Sequence, residues 1–286
     1  MNMNVTGSTD RQKKRGITGS FHHGPFPVLR CYKGDCFFSE HELIEEEPLL
    51  IRVENNPYSM FMRTPGDEIC HAAGFCLSEG IIERSDDLAS VGYCEDTNPN
   101  VVDVRLTPTR CKQVAALLTR KVSISQTSCG NCGKDLVEEI CQDISPITDD
   151  IHIKLKDALG IIEKLSELQI LRKKTRGSHG VMLLDAWLQP ISFAEDVGRH
   201  NALDKAIGKL FMQNILTDAH IGVLSSRISY EMVQKAARAR LSILLSISRP
   251  TTLAVRLGKS LNLTLACRAR KSELIIFCGE NRILRK

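Results

Sequence analysis

The sequence is poor in aromatic residues and contains no long apolar run. Phe, Trp and Tyr make up 5% of the 286 residues, which argues against a platform that stacks single-stranded nucleic acid on aromatic rings. No segment approaches the ~18 apolar residues of a membrane-spanning helix, and the polar, basic start of the chain lacks a secretory apolar region. We therefore expect a protein of the reducing cytoplasm that binds no DNA, RNA or membrane.

Common nucleotide-binding and zinc motifs are also missing. The chain has no GxGxxG, and Gly258-Lys259-Ser260 resembles only the end of a P-loop, because Leu253 stands where the first glycine belongs. None of the eight histidines forms an H-x-E, and Ser128 instead of proline precedes the CxxC, so the zinc-dependent deaminases are excluded. A nucleotide or anion would have to be bound by another arrangement.

Apolar strands alternate with amphipathic helices from residue 181 onward, which predicts a layered α/β sheet. The predicted strands are Val181–Leu184, Ile221–Leu224, Ile243–Ile247, Leu263–Cys267 and Leu274–Cys278. The predicted helices between them are Ala202–Phe211, Tyr230–Ala239 and Leu253–Leu261. Another helix is expected over 151–171, followed by a flexible basic segment over 172–177.

The first half of the chain mixes short strand patterns with helical ones. The clearest are strands over Leu49–Val53 and Val101–Leu106 and a helix from near Pro65 to Leu77. We predict a disordered tail over 1–25, a smaller α+β domain over 26–122, a mobile CxxC loop over 123–134 and the layered α/β domain over 135–286.

The net charge of +4 is distributed unevenly. Residues 221–286 contain 13 Lys or Arg against 3 Asp or Glu, a net of +10, so residues 1–220 carry −6. A local excess of this kind favours an anionic ligand or partner of the C-terminal domain.

Eleven cysteines include a single CxxC, formed by Cys129 and Cys132. Half a zinc site, thiol chemistry and inert packing are all open readings of this pair. Lys134 and the start of a predicted helix would lower a thiol pKa here, which favours a sulfur nucleophile. The polar residues Ser125–Ser128 before the pair argue against a thioredoxin-type site, which follows an apolar strand. The other nine cysteines are interpreted as packing residues.

A polar constellation over Glu195–Lys205 opens one of the predicted helices. One reading is helix capping with exposed charge pairs. The other is a polar site at a strand-to-helix crevice, in which Arg199 and His200 face an anion.

Hydroxyl groups and arginines recur at two further strand-to-helix junctions, a composition that suits phosphate but also ordinary capping. The candidates there are Ser226, Arg227, Thr251 and Thr252. With the basic segment Arg268-Ala269-Arg270-Lys271 that follows, they favour a polyphosphate ligand.

Several segments together resemble the FdhD/NarQ family of formate dehydrogenase accessory proteins, over about residues 45 to 284. The motifs that carry this resemblance are Met62–Glu68, Ser78–Ile82, Ser128–Gly133, Glu195–Lys205, Ser225–Met232, Thr251–Val255 and Asn262–Leu265.

The resemblance implies a sulfurtransferase that takes persulfide sulfur from a cysteine desulfurase. The sulfur passes to the molybdenum or tungsten of a bis-guanine-dinucleotide cofactor, which activates formate dehydrogenase. It also implies a C-terminal domain similar to cytidine deaminase without zinc, a homodimer, and GDP as a mimic of the bound cofactor.

In this family the first CxxC cysteine carries the persulfide, which corresponds to Cys129, with Cys132 assisting. The implied cofactor segment covers Arg268, Ala269, Arg270, Lys271, Ser272 and Glu273, and His179 keeps a family position. Two departures stand out: Arg176 replaces the first glycine of the family's Thr-Gly-Gly-x-His motif, and 268–273 lacks a glycine often found there. The alternative functions are a non-catalytic cofactor-binding chaperone, a thiol-disulfide oxidoreductase and a zinc module.

Overall fold

The computed structural model describes residues 23–94, 99–119, 144–270 and 272–285. The tail therefore ends before β1, which already begins at His23 and not after residue 25. The predicted CxxC loop over 123–134, the expected helix after Lys134, and Lys271 lie outside the described residues.

The N-terminal part forms a two-stranded hairpin and a four-stranded sheet with strand order β4-β3-β6-β5. Its elements are β1 (His23–Tyr32), β2 (Asp35–Ile44), β3 (Glu47–Val53), β4 (Asn56–Arg63), α1 (Glu68–Ser78), β5 (Leu88–Tyr93), β6 (Val101–Leu106), α2 (Pro108–Gln113) and α3 (Ala115–Thr119). In the four-stranded sheet β3 and β6 run parallel, and the outer pairs are antiparallel.

The C-terminal part forms a six-stranded sheet with strand order β13-β12-β11-β10-β8-β9. Its elements are β7 (Ile153–Lys154), α4 (Leu155–Leu168), α5 (Ile170–Thr175), β8 (His179–Leu184), β9 (Pro190–Asp196), α6 (Arg199–Met212), β10 (Ile221–Leu224), α7 (Tyr230–Arg238), β11 (Ile243–Ser246), α8 (Thr252–Ser260), β12 (Thr264–Arg270), β13 (Glu273–Cys278) and β14 (Ile283–Leu284). Strands β10, β11 and β12 are parallel, and their neighbours β8 and β13 are antiparallel to them.

Both faces of the six-stranded sheet are covered, which explains why its central strands β10 and β11 are buried at every position and almost wholly apolar. In β8, Val181 and Leu183 face α6 to α8 and the N-terminal part, whereas Met182 and Leu184 face α4. The expected α/β layering is therefore confirmed at the level of a mixed α/β fold, and the closer likeness to cytidine deaminase stays a prediction.

Three local predictions were wrong. Strand β9 went unnoticed because the half-buried run Pro190–Asp196 alternates instead of being uniformly apolar. The segment expected to be flexible forms helix α5, over Ile170–Thr175. Cys31 and Cys36 are not packing residues, because they form a disulfide between exposed positions of β1 and β2.

The remaining described cysteines agree better with packing roles. Cys76, Cys267 and Cys278 are buried, and Cys70, Cys94 and Cys111 are half-buried. Burial raises the pKa of the Cys70, Cys76, Cys267 and Cys278 thiols.

Helices α1 and α6 cross at two glycines, which bring the N-terminal part onto the six-stranded sheet. A Cβ atom at Gly74 would lie 1.9 Å from the backbone oxygen of Asp204, and one at Gly208 would lie 1.8 Å from that of Cys70. Since real Cβ atoms do not approach other atoms so closely, only glycine permits this crossing.

Two buried ion pairs of the C-terminal part lie at the same contact. Lys205 Nζ lies 2.7 Å from Asp196 Oδ2 and donates to the Thr64 carbonyl, while Asp196 accepts from the Thr64 amide. Lys235 Nζ lies 2.8 Å from Asp204 Oδ2. Each charge has its partner, so loss of one member leaves a buried charge unpaired, at a cost of about 3–5 kcal/mol.

His71 of α1 lies fully buried beside this network, and its two ring nitrogens lack a hydrogen-bond partner among the described residues. Burial, and then the charges of Lys205, Lys235 and Arg63, lower the pKa of His71 well below its usual value. The ring is therefore neutral and adds no third positive charge to the contact.

The replacement Gly208→Ala is expected to reduce the free energy of unfolding by about 3 kcal/mol or more, because its methyl group overlaps the α1 backbone. Urea denaturation followed by circular dichroism measures this change. Gly160→Ala is the matched control: Gly160 lies in α4 with open space around it, so the alanine should stabilise the protein by about 0.5–1 kcal/mol. Equal effects of the two variants would contradict the close crossing.

Candidate functional site

Most of the site residues predicted from the sequence lie at one edge of the six-stranded sheet, which we call the carboxyl edge. It contains the carboxyl ends of β9, β10, β11 and β12 and the start of antiparallel β8. In open α/β sheets, ligands bind outside the carboxyl ends of the strands, where helix amino termini point.

His179, Arg199 and His200 form one group at this edge. His179 opens β8 opposite Asp196, and Arg199 and His200 begin α6. The His200 Nε2 atom lies 2.7 Å from Oε2 of Glu231 and 3.4 Å from the Ser229 hydroxyl. The hydrogen bond from His200 lowers the pKa of Glu231.

This group holds two buried polar atoms that have no hydrogen-bond partner among the described residues, Nδ1 of His179 and Nε of Arg199. Burial, and then the charges of Arg172 and Arg199, lower the pKa of His179. A neutral histidine beside an arginine with an unpartnered buried nitrogen is an environment in which an anion would gain hydrogen bonds.

The serine and threonine candidates lie at the middle of the edge. Their contacts bear on the choice between phosphate binding and ordinary helix capping. Ser225 Oγ accepts from the Gly180 amide and ties the loop after β10 to β8, while buried Ser226 donates only to the neighbouring Arg227 carbonyl. Arg227 is exposed. Thr251 caps α8 by accepting from the Ala254 amide at 3.2 Å, which is the capping role.

Exposed Thr252 begins α8. Its position at the carboxyl edge agrees with the prediction from the sequence. Among the described residues, its hydroxyl group has no contact that would distinguish ligand binding from a role in starting the helix.

The described residues of the segment Arg268–Glu273 lie where β12 ends and β13 begins, at the far side of the sheet, and Arg270 pairs with Glu273. Arg268 reaches toward α4, where its guanidinium lies 3.3 Å from Glu163, and Arg270 lies 3.8 Å from Glu273. Ala269 and Ser272 are exposed beside them. Arg268, Ala269, Arg270 and Glu163 line an open cavity of about 420 Å³.

The structure therefore divides the predicted site into two groups. Strands β12 and β8 are separated by β11 and β10, so the two groups stand roughly 14 Å apart along the edge. A ligand that touched both would have to be extended.

The flanks of the CxxC segment lie at the opposite end of the helical layer. Arg110 of α2 donates to the carbonyls of Gly80 and Ile81, and Gly80 stands against Arg238, the last residue of α7. Just beyond, Arg240 donates to the Ser145 carbonyl. Glu231 and its partner His200 lie at the other end of α7, about 10 Å from Arg238 along the helix.

Glu195, Arg172 and Glu231 support this edge, and sequence reasoning did not assign them these roles. Glu195 accepts from the amides of Leu171 and Arg172 at the start of α5 and from the Ser178 hydroxyl. These contacts span 17 to 24 residues, and no helix or strand period points to partners at that separation.

The departure at Arg176 has a clear geometric setting. Arg176 ends α5 with φ 57°, in the left-handed region, and its amide donates to the Arg172 carbonyl. This is the position after a helix where glycine is favoured because it has no Cβ. Arg176 therefore adopts the left-handed backbone conformation that a glycine would adopt there. Its Cβ atom makes this conformation strained.

A model of the FdhD/NarQ family matches residues 44–284. The chain belongs to the FdhD/NarQ family. It is 34% identical over 267 residues to the sulfur carrier protein FdhD of Streptomyces avermitilis, covering 90% of this chain and 94% of that protein. It is also 34% identical over 245 residues to the sulfur carrier protein FdhD of Bordetella bronchiseptica, covering 86% and 88%.

A solved structure from Desulfotalea psychrophila, described as a formate dehydrogenase accessory protein, shares the fold. Its TM-score is 0.73 at 20% identity, covering 92% of this chain and 99% of that one. In this FdhD/NarQ chain, no described helix is long and apolar enough to cross a membrane. Nor do the described residues contain a metal-binding group of three or more His, Cys, Asp or Glu.

The family motifs have two separate structural uses in this chain. Thr64, Asp196 and Lys205 build the buried contact between the two sheets, whereas Arg199 and His200 from the same motif reach the carboxyl edge. The interpretation of Glu195–Lys205 as helix capping with exposed charge pairs is wrong about the exposure, because Asp196 and Lys205 are buried.

The replacement Arg176→Gly is expected to raise the free energy of unfolding by about 0.5–1 kcal/mol, because it relieves left-handed strain. Thermal and urea unfolding measure the change. Arg176→Ala removes the same charge but keeps Cβ, so it should give no such gain. If alanine stabilised the protein as much as glycine, charge and not backbone strain would be the cause.

Proposed function

We propose that this chain is a sulfurtransferase that carries sulfur from a cysteine desulfurase to the bis-guanine-dinucleotide molybdenum or tungsten cofactor of formate dehydrogenase. Membership of the FdhD/NarQ family, with relatives that are sulfur carrier proteins, supports this function. The observation that carries it is the pairing of one CxxC with a cationic carboxyl edge in the same chain.

Cys129 is the proposed sulfur carrier. Four of the described thiols have their pKa raised by burial, which keeps them protonated and unreactive. Cys129 has Lys134 five residues away and polar neighbours, a sequence setting that favours the thiolate.

The first step is an exchange without net oxidation. The Cys129 thiolate attacks the terminal sulfur of the desulfurase persulfide, a new S–S bond forms on Cys129, and the desulfurase cysteine leaves as a thiolate. Cys132 then attacks Cys129 Sγ, which releases hydrosulfide to the substrate metal and leaves a Cys129–Cys132 disulfide. A dithiol reductant of the thioredoxin class would restore the pair.

The cofactor substrate is proposed to bind at the carboxyl edge through its phosphates. Arg199 and His179 each hold a buried nitrogen without a partner in the described chain, and Arg227 stands exposed next to them along the edge. The Arg268–Glu273 segment, about 14 Å away, suits the second end of an extended dinucleotide.

The chain length allows one thiol to serve both partners. Cys129 stands ten residues after Thr119, and ten residues of chain can span at most roughly 33–36 Å. This exceeds the ~13 Å between the two ends of α7. A reach of this length supports a Cys129 that accepts sulfur near one end of α7 and delivers it near the other.

Two alternatives remain distinct. A non-catalytic chaperone would hold the cofactor and make no use of the cysteines, and the cationic edge alone favours it. A thiol-disulfide oxidoreductase would use the CxxC and need no nucleotide. Measurements of sulfur loading on the cysteines and of nucleotide binding therefore distinguish these two functions from the proposed one.

Incubation of the protein with a desulfurase and cysteine is expected to add one sulfur atom to Cys129, detected by mass spectrometry of the peptide. Cys129→Ala should lose this adduct and abolish activation of formate dehydrogenase, whereas the matched Cys111→Ala, in α2, should keep both. Normal activation by the Cys129→Ala/Cys132→Ala double variant would establish the chaperone and refute sulfur transfer. Cys132→Ala should load sulfur but fail to release it.

Titration calorimetry with GDP is expected to show binding that weakens at least tenfold in Arg199→Gln, because a charge-assisted hydrogen bond contributes about 1.5–3 kcal/mol. Lys164→Gln removes an exposed cation from α4 and should leave the affinity unchanged. Failure of the wild type to bind GDP, or equal losses in both variants, would contradict a site at the carboxyl edge.

A further inference from the structure

A disulfide joins Cys31 of β1 to Cys36 of β2 near the tip of the hairpin that these strands form. Both cysteines are exposed, whereas the free cysteines in the part of the chain that the structure describes are buried or half-buried. A thiol in solution can therefore reach this pair more readily than any other described cysteine. In the reducing compartment that the sequence predicts, a disulfide is typically transient and redox-active.

The strand pairing holds the two cysteines opposite each other whether or not their sulfur atoms are bonded. Cys31 and Cys36 are direct partners in the register of β1 and β2, and further pairs continue on both sides of them. Lys33 and Gly34 form the connecting turn, and both have a positive φ, at 53° and 98°, as in a type I′ hairpin turn. Because the turn fixes the register of a hairpin, the two thiols that reduction produces stay close together.

This arrangement distinguishes between two classes of reductant. When glutathione, a monothiol, attacks one sulfur of the bond, it forms a mixed disulfide, and the cysteine that is released lies beside it. The released thiolate has a high effective concentration toward the mixed disulfide, so it displaces glutathione and closes the bond again. A dithiol protein instead breaks the mixed disulfide with its own second thiol, which is equally close.

The neighbours of the disulfide also suit a protein reductant. Leu29 pairs with Phe38 in the register, and side chains alternate along a strand, so both lie on the same face of the hairpin as the two cysteines. Leu29 is 56% exposed and Phe38 is 82% exposed. A protein whose thiolate attacks the bond must contact this face, and burial of these two apolar side chains would stabilise that contact.

We propose that Cys31 and Cys36 form a reversible thiol–disulfide exchange site that is opened by a dithiol protein of the thioredoxin class. One thiolate of that protein attacks a sulfur of the Cys31–Cys36 bond, forms a mixed disulfide and releases the other cysteine as a thiolate. The second thiolate of the protein then attacks the protein's own sulfur in the mixed disulfide and releases the second cysteine. The dithiol is oxidised to a disulfide, the hairpin pair gains its two electrons, and its two protons pass to the cysteines through solvent. An oxidised protein of the same class closes the bond by the reverse exchange.

Opening the bond removes the support at one end of the hairpin. Strands of ten residues extend about 34 Å. At the base, Lys174 Nζ lies 3.2 Å from His23 Nε2, and Gly177 stands close to Ile44, whereas the disulfide is at the opposite end. Since a two-stranded hairpin is marginally stable in water, the tip should open more often once the pair is reduced, while the base keeps its contacts. The order of the tip therefore depends on the redox state of this site.

Peptide mass spectrometry tests the exchange. Trypsin cleaves after Arg30 and Lys33 and so separates Cys31 from Cys36, which means that the disulfide joins two peptides. Reduced thioredoxin should separate these peptides at least tenfold faster than glutathione at the same thiol concentration. An alkylating reagent should then label both cysteines of the native protein.

Two controls accompany this measurement. The full chain with Cys129→Ala and Cys132→Ala is used, so that the CxxC takes no part in the exchange. The buried thiols of Cys76, Cys267 and Cys278 should stay unlabelled throughout, which shows that the protein remains folded.

Hydrogen–deuterium exchange tests the consequence for the hairpin. In the Cys31→Ser/Cys36→Ser variant, and in the reduced wild type, the amides of the tip should exchange at least tenfold faster than in the oxidised wild type. The amides at the base should be unchanged. Cys111→Ser replaces a half-buried cysteine outside the hairpin and is the matched control, so its hairpin should exchange like that of the oxidised wild type.

Four results would overturn the proposal: no joined peptides after treatment with oxidised thioredoxin, a bond that resists both reductants, opening by glutathione as fast as by thioredoxin, or unchanged exchange of the tip after opening. The Cys31→Ser/Cys36→Ser variant keeps Cys129 and the carboxyl edge, so its sulfur loading and GDP binding should equal those of the wild type. Failure of the wild type in those two measurements concerns the proposed function and leaves the exchange site unaffected.

Discussion

Helices α1 and α6 approach so closely at Gly74 and Gly208 that a methyl group on either would meet the backbone of the other helix. This contact presses the four-stranded part against the six-stranded sheet and buries two ion pairs of the C-terminal part. Hydrogen bonds with Thr64 and Ser78 of the N-terminal part complete the partners of these buried charges, so the two parts have one favourable alignment. The remaining geometry depends on that alignment.

The position of the carboxyl edge is one consequence. Asp196 ends β9 inside the buried contact, accepts from the Gly198 amide and from Asn201, and so sets the turn into α6. Arg199 and His200 follow directly and reach the edge next to His179. The motif Glu195–Lys205 thus stabilises the contact between the two parts and also supplies Arg199 and His200 at the edge. The position of the proposed cofactor site therefore depends on the rigidity of the fold.

The distribution of charge and sulfur suits a relay. The flanks of the CxxC segment lie at the end of α7 remote from the carboxyl edge, so the proposed donor enzyme and the proposed nucleotide substrate could approach from different sides.

Sequence alone determined the apolar strands, most helices of the C-terminal part and the candidate residues at strand ends, because apolar periodicity and helix-start residues are local signals. It also determined the single CxxC and the family. Tertiary structure decided what local signals do not contain: the Cys31–Cys36 bond, the burial of Lys205 with Asp196, and the division of the edge into two groups. These depend on residues far apart in the chain or on strand register, and folding alone brings such residues together.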